Sequence, residues 1–289
     1  MAVTLTGNSY GKSEVRLVTV RRGADPADRH ALKDVTLNVR LEGDFAAAYT
    51  QGDNRGVLAT DTMKNTVYAL AAEHPFDDIE DFGLALTDQL LQADPHIASV
   101  RIELAEHLWE RIETAGAPHP HAFRRAGTER RTAVVTRCPD TVRVTAGLED
   151  LVVMKTAKSA FEGFPRDLYT TLKETADRLL ATALRATWRY SRPDVSNIPF
   201  GPLWSEVRRV LLATFADHDS RSVQHTLYAM GEAVLESIAG RDVEEIRLAM
   251  PNRHHIPVDL TPFGMENRNE VFVATPEPYG LIEATLRRG

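Results

Sequence analysis

Leu58-Ala59-Thr60-Asp61-Thr62-Met63-Lys64-Asn65-Thr66 reads as an apolar strand end running straight into a helix start. Asp61 or Thr60 is a good N-cap, and the polar turn Thr62-Lys64-Asn65 precedes the apolar ladder Val67, Leu70 and Ala71. Such a junction presents free backbone N–H groups and the positive end of a helix dipole, which suits an anion. Taken alone, the stretch reads as an ordinary capped helix, since caps are everywhere and anion sites are few.

Working outward, the upstream sequence alternates. Glu14 to Arg22 is a short β-like stretch carrying Val15, Leu17 and Val20. After a turn around Gly23-Ala24-Asp25-Pro26, Val35, Leu37, Val39 and Leu41 alternate strictly with Thr36, Asn38 and Arg40. That period of two marks a half-buried strand, and the pair reads as an antiparallel hairpin. Downstream, the helix from about Thr62 to Glu73 stops at His74-Pro75. A second helix, from about Ile79 to Ala93, puts Phe82, Leu86, Leu90 and Leu91 on one face and stops before Pro95. Alternation returns at Val100, Ile102 and Leu104 towards Trp109, and again from Arg130 to Arg137 through Ala133, Val134 and Val135. The order is two strands, two helices, two strands.

The second half repeats it. A strand-like stretch holds Val142, Val144, Leu148 and Val152 to Met154, and Leu184 to Tyr190 is its partner. An insertion from Lys155 to about Thr182 carries a helical spacing at Leu168, Leu172, Leu179 and Leu180. Helices are expected near Gly201 to Ala216 and near Ser222 to Ile238, the latter with Gly240 as C-terminal cap. Strands at Val243 to Met250 and Leu281 to Leu286 close the half. With 289 residues the chain suits two domains, 1–140 and 141–289, the second with its insertion near 155–182. Amphipathic sheets with helices on one face define an α+β class, and open sheet edges favour pairing into a larger assembly.

Composition narrows the function classes. A hydrophobic fraction of 43% and a charged fraction of 26% are those of a globular protein, and the net charge of −7 argues against a general nucleic-acid binder. Cys138 is the single cysteine, so there is neither an intrachain disulfide nor a thiolate metal cluster. No apolar run approaches a membrane span, Met1 to Gly7 lacks the pattern of a secretory signal, and Leu286-Arg287-Arg288-Gly289 is not a Ser-Lys-Leu address. The expectation is a cytoplasmic protein without membrane partners.

Ser9-Tyr10-Gly11-Lys12, Ala59-Thr60-Asp61 with Lys64-Asn65-Thr66, and Pro118-His119-Pro120-His121 stand in that order along the chain. Gly163-Phe164-Pro165-Arg166-Asp167 follows, then Tyr169 to Thr175, Ser222-Val223-Gln224 and Pro251-Asn252-Arg253-His254. As an ordered set these fragments resemble the urate oxidase (uricase) family. The resemblance runs from Tyr10 to Ile282 and implies a tandem tunnelling fold (T-fold): two antiparallel four-stranded sheets, each covered by helices on one face, assembled as a homotetramer around a tunnel. It implies that urate, dioxygen and water give 5-hydroxyisourate and hydrogen peroxide with no metal or organic cofactor.

The resemblance also assigns roles. Arg178 and Gln224 match the urate clamp: a guanidinium fork holds a planar anion, and an amide offers a donor and an acceptor. Phe161 matches the ring that stacks on the substrate, with Leu172, Val223 and Ile282 around it. Lys12, Thr60 and His254 match a proton relay, in which lysine stabilises charge, the threonine hydroxyl passes a proton and histidine accepts it. Asn252 matches the residue orienting dioxygen or water, and Asp61 the position whose N–H faces urate. In the family, Lys12, Thr60 and Asp61 come from one subunit and the clamp from its neighbour. Read without the resemblance, each is an ordinary residue: a surface lysine, a cap, a helix arginine, core packing.

Glu162 and Ala176 depart from the bulkier aromatics of many relatives. A metal site at His119 and His121 or at His254-His255 lacks carboxylate partners, and the histidine–proline loop is expected at a subunit contact. Two other classes stay open: another tunnelling-fold enzyme acting on a purine or pterin, and a non-catalytic purine-binding oligomer.

Overall fold

The computed structural model describes residues 3–25, 28–191, 194–195, 197–237 and 239–289. Two compact units divide the chain, Met1–Gly147 with Arg192–Pro202 and Leu148–Ser191 with Leu203–Gly289.

In the first unit, β1 (Tyr10–Arg21), β2 (Ala31–Gly43), β3 (Ile97–Thr114) and β4 (Ala117–Cys138) pair antiparallel in chain order. Between β2 and β3 come α1 (Ala46–Gln51), α2 (Thr60–Glu73) and α3 (Ile79–Leu91). The alternation of β2 decides which face is covered, for Val35, Leu37, Val39 and Leu41 are all buried. Met63, Val67, Leu70 and Ala71 of α2 and Ile79, Phe82, Leu86 and Leu90 of α3 join them in one apolar cluster. Their helical spacing is the stripe an amphipathic helix lays on a sheet.

Alternation and helical stripe recur in the second unit. The strand order is β5 (Thr141–Lys155), β6 (Leu180–Tyr190), β7 (Val243–Pro257) and β8 (Phe272–Arg287). Helices α4 (Phe200–Asp217) and α5 (Val223–Glu236) come between β6 and β7. Leu227, Met230 and Val234 of α5 are buried, as are Ile246, Leu248 and Met250 of β7, and α5 packs on β7 and β8.

Several expectations are corrected. No strand ends at Leu58; Val57 and Leu58 lie in an irregular segment packed against the core. The N-cap of α2 is Ala59, with no side-chain cap bond, so Thr60 and Asp61 already belong to the first turn. α3 ends at Leu91 rather than near Ala93, and α1 was not foreseen. The insertion spacing at Leu168, Leu172, Leu179 and Leu180 forms no helix. Asp167 takes the Tyr169 N–H (2.9 Å) and the Thr170 hydroxyl (2.8 Å) in a local turn, and Leu168 is 90% exposed. Side-chain bonds to nearby groups compete with a helix, and the stripe has no core to bury itself against. Ser237, not Gly240, caps α5; Gly240 lies in the short 3-10 helix Ala239–Asp242. Both hairpins outrun their alternating cores: β3 and β4 reach a turn at Ala115-Gly116, and β7 and β8 extend to Pro257 and Phe272. The Pro118–His121 stretch is therefore part of β4 rather than a loop, with the Pro120 carbonyl accepting from His30 N (3.0 Å) and Arg111 (2.7 Å).

Candidate active site

The candidate residues fall into one group in each unit. In the first, Lys12 sits at an irregularity in β1: the register with β2 shifts between Lys12 and Val15, Glu14 adopts φ 56°, and the Glu14 N–H donates to Asn38 Oδ1 at 2.8 Å. Bulges of this kind re-aim side chains. Gly11 makes the close approach that precedes it, since a Cβ there would lie 1.8 Å from the Val39 carbonyl oxygen. Thr60 and Asp61 open α2, whose first amides have no carbonyl one turn back. Asp61 binds Lys64 Nζ (2.5 Å) and Asn65 Nδ2 (3.0 Å). The Lys64 ammonium holds the Asp61 carboxyl below its ordinary range, and the charge of Lys12 adds to this.

The second group is built on the insertion. Phe161 forms an antiparallel bridge with Thr175, N to O at 2.8 Å and back at 3.2 Å. Its ring stacks on Phe164, with centroids 4.9 Å apart and planes 13° apart. The Arg178 N–H donates to the Ser159 carbonyl (2.8 Å), and the Arg178 guanidinium carbon lies 5.0 Å from the centre of the Phe161 ring. Arg178 Nε is buried with no hydrogen-bond partner among the described residues, and burial lowers the pKa of the guanidinium. A cation stacked on an aromatic face with a donor left open is arranged to receive an acceptor.

Serines tie this pair to α5. Ser159 bridges Ser220, the Ala160 N–H donates to Ser220 O (2.7 Å), and the Ser220 hydroxyl donates to Ser222 O (3.1 Å). Ser222 then caps α5 by accepting the His225 N–H at 3.1 Å. Val223, buried, and Gln224, exposed, are the first two residues of that helix. Leu172 is 53% exposed; its carbonyl accepts from Arg166 at 3.3 Å.

Asn252, His254 and Ile282 lie on the β7–β8 hairpin, opposite Gly280, Thr275 and Met250 respectively. A register irregularity separates Asn252 from His254, and the Thr275 hydroxyl donates to His254 O at 3.3 Å. Phe164 and the serine chain were missed in the sequence; Phe164 stands in the quoted Gly163-Phe164-Pro165 fragment, where an aromatic three residues after Phe161 was the available signal. Glu162 and Ala176 are both exposed. Among the described residues, no three His, Cys, Asp or Glu side chains are grouped to hold a metal ion. No helix among them is long and apolar enough to cross a membrane.

Antiparallel strands following one another in chain order, with helices inserted between the second and third strand of each unit, are the plan of a tandem tunnelling fold of the α+β class. The uricase family model matches residues 8–136 and 144–283, and the chain belongs to that family. It is accordingly an enzyme, an oxidoreductase of the urate oxidase type. The uricase of Arthrobacter globiformis is 45% identical over 286 residues, covering 99% of this chain and 90% of that one. The Dictyostelium discoideum uricase is 37% identical over 287 residues, covering 99% and 98%. The crystal structure of the Arthrobacter globiformis enzyme matches with a TM-score of 0.92, covering 100% of this chain and 96% of that one.

Proposed function

We propose that the chain oxidises urate with dioxygen and water to 5-hydroxyisourate and hydrogen peroxide, without metal or organic cofactor. Ionised urate is electron-rich enough to give electrons to oxygen directly, so the protein's work is to bind, deprotonate and shield it. Two domains, 1–140 and 141–289, form a subunit of a cytoplasmic homotetramer. Lys12, Thr60 and Asp61 of one subunit meet the clamp of a neighbour, so a monomer is inactive.

The observation that carries this reading is the open, buried Nε of Arg178 over the Phe161 ring. Arg178 and Gln224 grip the edges of a flat anion, Phe161 stacks on its face, and Leu172, Val223 and Ile282 enclose it. The opening amides of α2, at Thr60 and Asp61, face its negative charge. Thr60 passes the proton, Lys12 stabilises the charge left behind and His254 takes the proton on, while Asn252 orients oxygen or water above the ring.

Metal-stripped protein mixed with urate in air tests the reading. Urate absorbance should fall while peroxide accumulates in equal amount. Loss of activity on metal removal, restored by adding metal back, would overturn the cofactor-free mechanism, and urate binding without oxygen uptake would overturn catalysis.

A further inference from the structure

Between α4 and α5 the chain reads His218-Asp219-Ser220-Arg221-Ser222, and this connection carries more polar structure than its length requires. Lys155 Nζ, on a buried side chain of β5, donates to the Phe215 carbonyl (3.4 Å) and to that of His218. The His218 N–H donates to Thr214 O at 3.0 Å, and the Ser220 N–H to Lys158 O at 3.0 Å. The His218 and His225 rings meet edge to face with centroids 4.3 Å apart, and Nε2 of His218 is 3.2 Å from Nδ1 of His225.

Chemistry decides the proton positions. The Arg221 backbone N–H points at the same Nδ1 of His225, at 3.4 Å, and a backbone amide only donates. Nδ1 of His225 must therefore be an unprotonated acceptor, and Nε2 of His218 must carry the hydrogen. A proton on that Nδ1 would turn one acceptor facing two donors into three donors facing one another. His225 sits in the first turn of α5, one residue beyond Gln224, on the turn that Ser222 caps, and His218 reaches it from the connection just past α4.

We propose that His218 and His225 are positioning residues for substrate recognition: their hydrogen bond locks the first turn of α5 and aims Gln224, and protonation of His225 Nδ1 releases it. The inference rests on the reading of Gln224 as half of the urate clamp. Burial, His225 and Lys155 together hold the His218 imidazole below its ordinary range, partly offset by Asp219, so the neutral donor is the resting form. Around His218, Lys155 of β5 adds positive charge and Asp219 opposes it, and Lys158, Asp177 and Asp217 act in turn on Lys155.

The test is steady-state kinetics of the full-length enzyme on urate, at about pH 8 and about pH 6, for the wild type, His225→Ala, His225→Asn and Gln224→Ala. The Asn amide oxygen reproduces the Nδ1 acceptor and takes no proton. His225→Ala should raise KM about fivefold, the scale of one lost hydrogen bond, with kcat within about twofold. The wild-type KM should rise on acidification relative to that of His225→Asn. Because every variant meets the same substrate, urate's own ionisation cancels in that ratio. Parallel pH profiles of wild type and His225→Asn, with Gln224→Ala raising KM, would overturn the positioning role and leave the clamp intact. An unchanged KM in Gln224→Ala would overturn the clamp and this inference with it. Should His225→Ala fail to fold, the wild-type and Asn profiles decide alone.

Discussion

α3 and α5 occupy the same place in their units, each the last α-helix before the third strand and laid on the third and fourth strands, yet their first turns are built from opposite materials. At α3 the N-cap Asp78 makes no cap bond to the helix. Its carboxylate takes Arg131 (2.9 Å) and the Gly201 N–H (2.9 Å) instead, and Arg131 also binds the buried Glu80 at 2.5 Å. At α5 a neutral serine caps the helix and Gln224 in the first turn stays exposed. One helix start spends its polar groups on ion pairs within the fold; the other is capped locally and leaves Gln224 exposed. The same division runs through the candidate site, where Asp61 of the first unit is satisfied by Lys64 and Asn65 while Arg178 of the second keeps an open Nε.

The largest effects should come from that division. Lys12→Ala should lower kcat by about 10²- to 10³-fold with little change in KM, the loss expected for a group that assists proton transfer. Arg178→Ala should raise KM by roughly 10- to 100-fold, the scale of charge-assisted hydrogen bonds, and change kcat far less. Steady-state kinetics on the two variants separates the roles. Wild-type constants in both, or a KM effect at Lys12 with a kcat effect at Arg178, would break the assignment.

The helix starts themselves differ in how they respond to pH. Burial first, and the Asp78 charge second, push Glu80 up to about 7, against the pull of Arg131. One cation serves several carboxylates: Asp78, Glu80 and Glu106 all act on Arg131, and Glu106 also holds Lys33 at 2.8 Å. Oε1 of Glu80 has no partner among the described residues. Because the folded pKa lies above the unfolded one, the folded chain keeps a proton that the unfolded chain releases between about pH 4.5 and 7. Stability is therefore full below that window and falls as pH rises through it, by on the order of 3 kcal/mol. Glu80→Gln should remove this slope and gain on the wild type between urea melts at about pH 5 and about pH 8. Ser222→Ala, at the matching place in α5, should cost about 1 kcal/mol at both pH values. Parallel wild-type and Glu80→Gln stabilities would mean that Arg131 keeps Glu80 ionised throughout.

These contrasts bear on what was legible beforehand. The strict alternation of Val35 to Leu41 and the stripes of α2, α3, α4 and α5 announce themselves because each buries a face against one core, and period then follows burial. The long hairpin arms were invisible for the converse reason: Ile112, Ile256 and Val273 are exposed, so no period is imposed on their neighbours. The insertion misled because leucines at helical spacing carry a meaning only when a core receives them, and Leu168 and Leu172 meet none. In the site, Thr60 and Asp61 were readable as a helix start, though the cap fell to Ala59, whose side chain offers no oxygen. Arg178 carried no physical signal of its own; its meaning comes from Ser159, Phe161 and a buried Nε, which are tertiary facts.

The finest comparison is between two glycines. Gly83 of α3 and Gly231 of α5 each let a helix settle close to its sheet, and the neighbours differ in stiffness. A Cβ at Gly83 would lie 2.7 Å from Val135 Cγ2 and 3.0 Å from Leu104 Cδ1. Valine is branched at Cβ and locked at χ1, so the helix must lift or the strand must move. A Cβ at Gly231 would lie 2.9 and 3.0 Å from the two terminal methyls of Leu286 and 3.4 Å from Leu248 Cδ1. Leu286 is only partly buried, and its far end can rotate away. Both substitutions gain about 1 kcal/mol of helix propensity over glycine. Overpacking at Gly83 should exceed that gain, for a net loss of about 1–2 kcal/mol, whereas Gly231→Ala should fall within about 0.5 kcal/mol of wild type. Urea melts of the two alanine variants decide the matter: a greater loss at Gly231 would show that the two helices are not seated on their sheets in the same way.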